Sequence, residues 1–318
     1  MKKGYIYILL STILFSTMEI ALKISSAGFN PIQLTFLRFL IGSIILLPPA
    51  LRSLRKRGIK INIKDTAYFA LTGLICVVIS MVLYQLSILN APASVVAVLF
   101  SCNPVFVIIL AGIFLGEKIT KNKIISMVVS FVGIIFIMNP FRMSASATGI
   151  ILTILAAVTF SVYSVASRSG SGKYGGLAIT CFSFIAGSVE MLMLILISKM
   201  QPVAFSLSKA GLKDFSNIPV FIGLNVNNII PLIYIGVFVT GLGYAFYLMA
   251  IEVTNASTAS LVFFIKPALA PVLALIILKE SISGMMIAGI LLLLVGSSFS
   301  LIPGITDSMK KKKIKKTA

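Results

Sequence analysis

Apolar residues run for about twenty positions at a time along this chain, and short polar breaks separate the runs. They fall near 4–24, 31–51, 66–88, 93–115, 122–139, 148–168, 176–198, 229–250, 256–278 and 283–303. Twenty residues rising 1.5 Å each cross the ~30 Å hydrocarbon core of a bilayer, so the pattern predicts an all-α polytopic membrane protein with ten transmembrane helices. Most connections are short, so successive helices should run antiparallel. The stretch from Lys199 to Asn228 reads as the single long loop.

Composition agrees: 58% of residues are apolar and 11% charged, where soluble domains carry about 25% charged residues. Mean hydropathy is +1.09. The net charge of +19 does not point to nucleic acid, because the basic residues gather between apolar runs as topology signals do. With the N-terminus inside, one face holds Lys2, Lys3, the basic residues from Arg52 to Lys64, Lys118, Lys121, Lys123, Arg168 and Lys173. The tail at 305–318, with Lys310 to Lys313, Lys315 and Lys316, adds to that face and suits anionic lipid headgroups. The other face holds Arg142, Lys199, Lys209, Lys213 and Lys279. Both termini are therefore expected in the cytoplasm of a multi-pass cell-membrane protein. Lys2-Lys3 followed by an apolar run could pass for a signal peptide, but Glu19 interrupts that run and a later helix matches it, so it reads as the first span.

Internal repetition organises the chain. A shift of 163 residues superimposes Gly73 on Gly236, Tyr84 on Tyr247, Ala93 on Ala256, Pro104 on Pro267, Ala111 on Ala274, Glu117 on Glu280, Gly133 on Gly296 and Pro140 on Pro303 without a gap. A shift of 145 does the same earlier, placing Gly4 on Gly149, Phe15 on Phe160, Ser16 on Ser161, Thr35 on Thr180, Phe39 on Phe184 and Gly42 on Gly187. Two repeats follow, 1–140 and 141–304. Each holds five spans, an odd number, so the second should enter the membrane from the opposite side. Inverted repeats of this kind build many secondary transporters, with a midplane site that either face can reach.

The runs from Ala93 through Asn103-Pro104 to Leu115-Gly116-Glu117 and from Ala256 through Lys266-Pro267 to Leu278-Lys279-Glu280, with Arg38 in the second helix, resemble the drug/metabolite transporter superfamily in its ten-helix EamA branch. The resemblance covers nearly the whole chain. It implies import or export of amino acids, amines, sugars or other small metabolites without ATP hydrolysis.

Charges within a bilayer are costly and mark functional candidates. Thr12, Ser16, Glu19 and Lys23 share one face of the first helix, which should line the interior; the sixth helix repeats that stripe as Ala157, Ser161, Ser164 and Arg168, so Glu19 has no acidic counterpart. Glu19 could pair with Lys23 at i,i+4, pair with Arg38, or bind a substrate amine or a coupling proton. Lys266 precedes Pro267 near the middle of the ninth helix, where a kink is expected, and Asn103-Pro104 holds the equivalent depth. Tyr84, Tyr247, Tyr244 and Tyr163 offer ring faces and hydroxyls. The substrate-binding set is thus Glu19, Arg38, Tyr84, Asn103, Tyr163, Tyr244, Tyr247 and Lys266, with Glu19 and Glu190 as proton-coupling candidates. The set suits a zwitterion, carboxylate to Lys266 and amine to Glu19. Amines or drug-like cations are the alternative substrates, and a non-transporting scaffold or sensor the alternative from another class. The Glu117 and Glu280 pair reads as helix termination, and Gly73, Gly236, Gly133 and Gly296 as close helix packing.

No enzyme is expected. Histidine is absent, which removes zinc-protease and Ser-His arrangements, and Cys76, Cys102 and Cys181 lie inside apolar runs, so no metal or cofactor is implied. Gly170-Ser171-Gly172-Lys173 lacks the earlier glycine, the following Ser/Thr and the preceding strand of a phosphate loop. The expected partners are a small-molecule substrate and membrane lipid, with the chain a monomer or homodimer.

Overall fold

The computed structural model describes residues 2–138, 146–296 and 298–299. Among them every regular element is helical. Seven helices are long and apolar enough to cross a membrane: α1 (Lys3–Ser25), α2 (Pro31–Lys56), α3 (Ile63–Asn90), α4 (Ala93–Leu115), α6 (Ala147–Tyr174), α7 (Gly176–Ser198) and α8 (Val226–Val253). Helix α5 (Lys121–Met138), helix α9 (Val262–Leu278) and the shorter α10 (Gly284–Gly296) occupy the places of the remaining expected spans. The chain is a polytopic all-α membrane protein. The basic tail at 305–318, Arg142, Pro140 and Pro303 lie outside the described residues.

The surface is inverted relative to a soluble protein. Large apolar side chains such as Ile44, Phe114, Phe131 and Leu291 stand exposed around the outside, while Ser, Thr and charged groups collect within. Serine and threonine tolerate that interior by bonding their own helix: Thr12 donates to Ile8 O, Ser16 to Thr12 O, Thr153 to Gly149 O and Thr180 to Gly176 O.

Helix starts follow side-chain chemistry. Asn30 and Gln33 form a capping box ahead of α2, Asn62 and Asp65 another ahead of α3, and Ser146 caps α6. The helices then pack in a pattern that links the two parts of the chain: α2 against α7 and α8, α7 against α2 and α3, α6 against α3 and α4, and α1 against α8 and α9. Glycines permit the closest of these approaches. A Cβ on Gly73 of α3 would lie 2.5 Å from Ser183 O and 2.6 Å from Gly187 N of α7. At the positions related by the shifts, one on Gly42 of α2 would lie 3.2 Å from Gly236 O of α8. Gly133 and Gly296 likewise hold α5 against α10, with Gly289 O 2.9 Å and Ser130 Oγ 2.9 Å from the built Cβ positions.

Three features depart from the sequence reading. The long loop after Lys199 contains a short helix, Gln201–Lys209, and is pinned to the start of α2 because Gln33 donates to Val220 O at 3.1 Å and Ile222 O at 2.6 Å. Helix α4 breaks at Ser101–Cys102 just before Pro104, as a proline in a first turn favours. In the ninth segment the break falls earlier: a turn at Ala256–Ala259 ends at Ser260–Leu261, and Pro267 sits inside α9 rather than at its interruption. Finally, α3 and α8 each widen into π-helix, at Leu74–Ser80 and Tyr234–Gly243. These stretches overlap under the 163-residue shift, and such bulges recur at functional sites.

Candidate functional site

The break in α1 sets up the first site residue. Thr17 donates both its N–H and its hydroxyl back to Leu14 O, which loosens the helix about one turn past its middle, and Glu19 enters the core immediately after. Lys266 of α9 forms an ion pair with Glu19 Oε1, and Tyr84 of α3 donates its hydroxyl to the same oxygen. Lys266 Nζ also lies 3.3 Å from Tyr84 Oη and faces the rings of Phe100 and Tyr84 at 5.4 and 5.7 Å. Lys266 is 0% exposed and Glu19 1%, so the pair is sealed from water. Removing a carboxylate and an ammonium from water costs several kcal/mol each, which their mutual contact offsets only with good geometry and extra hydrogen bonds. Tyr84 supplies one such bond; Glu19 Oε2 has no partner among the described residues.

The same contact recurs without charge at the shift-related positions. Tyr247, the counterpart of Tyr84, donates to Ser164 Oγ at 2.9 Å, and Ser164 is the counterpart of Glu19. Asn103, the counterpart of Lys266, donates to Ser161 Oγ at 2.7 Å and to Ala157 O at 3.0 Å, tying α4 to α6 as Lys266 ties α9 to α1. Lys23 does not pair with Glu19. It donates to Ile88 O at 2.6 Å and Ala91 O at 3.3 Å at the end of α3, and its counterpart Arg168 does the same for Ile251 O and Glu252 O at the end of α8. Cations at helix C-termini satisfy orphan carbonyls and oppose the negative dipole end.

Arg38 of α2 is also fully buried, over the Phe39 ring at 4.5 Å, and it does not pair with Glu19. Its polar neighbours are Tyr244, Tyr84 and Cys76. None of its three nitrogens makes a hydrogen bond of full geometry among the described residues; the Tyr244 hydroxyl, which donates to Met81 Sδ at 2.8 Å, is the polar group standing nearest to it, and no carboxylate pairs with it. The Tyr163 hydroxyl, in the same region, is unpartnered too. Glu190, by contrast, is only half-buried on α7 and makes no contact with these groups, so the described geometry leaves it outside the cluster. Around the charges stands an aromatic cage that the sequence reading did not assign to the site. Phe39 meets Phe184 edge-on at 4.6 Å, Phe100 meets Phe263 at 5.5 Å, and Phe15 and Phe160 approach Tyr244 at 5.0 and 5.7 Å. The signal was present: Phe15/Phe160 and Phe39/Phe184 coincide under the shift of 145.

The two glutamates read as helix terminators do more than that. Helix α4 ends in a left-handed turn at Gly116 (φ 65°), and α9 in the same turn at Lys279 (φ 56°). In both, the following N–H reaches six residues back, Glu117 N to Ala111 O and Glu280 N to Ala274 O. The turn swings each carboxylate onto the other helix. Glu280 accepts from Ala93 N at 2.8 Å, Ser94 N at 2.9 Å and Ser94 Oγ at 2.6 Å. Glu117 accepts from Ala256 N at 3.1 Å, Ser257 N at 3.4 Å and the Ser257 hydroxyl. The antiparallel α4 and ninth segment are thus clasped at both ends, Glu280 at the start of α4 and Glu117 at the start of the short turn Ala256–Ala259 that precedes α9. Among the described residues no cluster of metal-ligating side chains occurs.

Comparison with known proteins places this architecture. A solved structure with a TM-score of 0.68 at 16% identity covers 95% of this chain and is itself covered over 97%, which establishes the fold alone. An uncharacterized transporter of Clostridium kluyveri is 40% identical over 305 residues, covering 93% of this chain and 92% of its own. A probable terminal-alkyne amino-acid exporter of Streptantibioticus cattleyicolor is 23% identical over 88% of this chain and 87% of its own. The pseudopaline exporter CntI of Pseudomonas aeruginosa is 26% identical over 58% of this chain and 63% of its own. The EamA-like transporter family matches twice, over residues 2–139 and 147–302, and with nearly every described helix inside those two matches the chain belongs to that family, a branch of the drug/metabolite transporters, and is a membrane transporter rather than an enzyme.

Proposed function

We propose that this protein is a secondary transporter of small metabolites, amino acids or related zwitterions foremost, working by alternating access between two inverted halves, 1–140 and 141–304. One observation carries the reading: a charged, aromatic-walled cluster is sealed in the core between two clasps at opposite ends of α4 and α9. With both clasps closed the cluster meets neither compartment. Opening one at a time would expose it to each in turn. Contacts that recur at shift-related positions, namely the tyrosine bonds, the glycine approaches and the clasps, support two equivalent half-motions of similar energy.

The basic residues support cytoplasmic termini in the cell membrane. Glu19 is the carboxylate placed to couple transport to protons or to substrate exchange, because its ion pair with Lys266 must loosen when the core is rehydrated. The two exporters named above are relatives whose cargo includes an amino acid or pseudopaline, which supports a zwitterionic metabolite here. A simple cation is less suited: Glu19 already holds Lys266, and Arg38 adds a second buried positive charge to the core.

Reconstitution tests this. Purified protein in proteoliposomes should accumulate labelled amino acids or release them by exchange, and imposing a pH gradient separates proton coupling from exchange. Absence of flux for amino acids, amines, sugars and organic anions alike, with correctly inserted protein, refutes the transport reading.

A further inference from the structure

The core leaves two opposite charges incompletely satisfied. All three guanidinium nitrogens of Arg38 and the Oε2 atom of Glu19 are buried without a hydrogen-bond partner among the described residues. Tyr84 donates to Glu19 Oε1, and Tyr84 and Tyr244 both stand within electrostatic reach of Arg38 and of Glu19. An unpaired guanidinium in a water-free core is a net cost to the folded state, so stability alone does not account for it. The five fork-shaped donors of a guanidinium match a carboxylate better than any neutral group.

Lys266 is differently placed. Its ammonium is already neutralised by the Glu19 carboxylate and bonded to Tyr84, whereas Arg38 has no counter-charge among the described residues. Around Arg38 the walls are aromatic rather than polar: Phe39 and Phe184 at 4.6 Å, Phe184 and Tyr244 at 5.2 Å, Phe39 and Tyr244 at 5.7 Å. Whatever extends beyond the charged end of a ligand therefore meets ring faces and edges.

We infer that Arg38 seats the substrate carboxylate and Glu19 Oε2 accepts from its ammonium, while Lys266 is the internal counter-ion of Glu19, and that the preferred substrate is an amino acid with an apolar side chain. This rests on the transport reading and narrows it. Arg38 on α2 and Glu19 on α1 then hold the two ends of one molecule, so binding draws α2, α1 and, through Lys266, α9 onto a common ligand. The free carboxylate and the free ammonium are both required. An amide or a des-amino analogue leaves one buried charge unanswered, the case in which sites discriminate most strongly.

Binding to the full-length, detergent-solubilised protein tests the assignment by titration calorimetry with L-leucine and L-phenylalanine, their carboxamides, and the des-amino acids 4-methylpentanoate and 3-phenylpropanoate. The amino acids should bind, and each analogue should bind more weakly by on the order of 100-fold. In Arg38→Lys, which keeps the charge but loses the fork, the acid-to-amide ratio should collapse to within a few-fold. In Lys266→Arg both affinities should fall together with the ratio retained. These comparisons use the ratio within one preparation, and the wild-type analogue series stands even if Arg38→Lys elutes aggregated. Equal binding of acid and amide, or an Arg38→Lys variant with the wild-type ratio, overturns the proposal. So does wild-type protein that binds neither amino acid yet carries another solute in proteoliposomes, an outcome that leaves the transport reading standing.

Discussion

If the two clasps are gates, weakening one should open the protein toward one side only. Glu280→Gln replaces one acceptor oxygen with an NH2 group that faces a backbone N–H, and it removes the charge from the start of α4. That helix end has no other cap, since Pro92 contributes no side-chain hydrogen bond there. A charge-assisted hydrogen bond is worth roughly 1.5–3 kcal/mol, and a charge at a helix end roughly 0.3–1 kcal/mol. Glu280 and Glu117 are only half-buried, so solvent screening brings the net loss to about 2 kcal/mol. At ~1.4 kcal/mol per factor of ten, the open population on that side rises ~30-fold. Cys102 reports it: the residue is 4% exposed, at the break in α4 beside Asn103. With Cys76 and Cys181 replaced by alanine, an impermeant thiol reagent is applied to right-side-out and inside-out vesicles. Glu280→Gln should speed labelling of Cys102 from one face by ~30-fold, and Glu117→Gln from the opposite face by a similar factor, when opening is fast relative to reaction. Acceleration from the same face in both variants refutes the gating argument, and no acceleration in either shows the clasps to be static braces.

Four further outcomes follow from the packing. Glu19→Gln and Lys266→Met should each lower stability in detergent by about 3–5 kcal/mol, and the double variant by much less than the sum; additive losses in melting experiments would show that the pair is not coupled. Gly73→Ala, whose Cβ would lie 2.5 Å from Ser183 O, should cost about 1–3 kcal/mol, more than Gly42→Ala with its nearest atom at 3.2 Å, and equal melting points would contradict the close approach. Lys279 adopts the left-handed turn that Gly116 holds in α4, so Lys279→Gly should raise the melting point, by about 1 kcal/mol of relieved strain. Cysteines at Lys60 and Lys213 should be labelled from opposite faces of the membrane; labelling from one face would break the charge-based topology.

The apolar runs made the helices legible because their length is set by the bilayer, a constraint outside the protein. The repeat made equivalent positions legible as well: Tyr84 and Tyr247, and Gly73 and Gly236, occur in matching contacts, and Asn103 and Lys266 each tie their helix to the first helix of a half. What was lost is anything decided between helices that are distant in sequence. Glu19 has a basic residue four positions on, yet it pairs with one far along the chain, because Lys23 at the helix end is taken up by the carbonyls of Ile88 and Ala91, while Glu19 one turn deeper finds its donors in Lys266 and Tyr84. The destinations of Glu117 and Glu280 were likewise invisible, since a left-handed turn that aims a side chain at another helix leaves only a glycine as its trace, and at Lys279 not even that. The interruption of the ninth segment at Ser260–Leu261, ahead of Pro267, was not legible: the turn closes on Ser260, whose hydroxyl bonds Ser257 O, and the helix then runs on through Pro267.

The shift-related contacts differ in one respect, and the difference bears on mechanism. Tyr247 meets Ser164 where Tyr84 meets Glu19, and Asn103 meets Ser161, one turn before Ser164, where Lys266 meets Glu19 itself. The framework is therefore near-symmetric while the charge is confined to one side of it. Two conformations related by such a framework need differ by little in packing energy, as repeated opening and closing requires, and the charged side alone can make them unequal when it binds a ligand or releases one. A ligand shifts that balance only by the difference in its affinity for the two conformations. Replacing Ser164 by glutamate would place acid on both sides of the framework; the variant should bind substrate with an altered stoichiometry or lose the bias between the two faces, measured by the same Cys102 labelling, and an unchanged bias would show that the asymmetry of Glu19 plays no part in it.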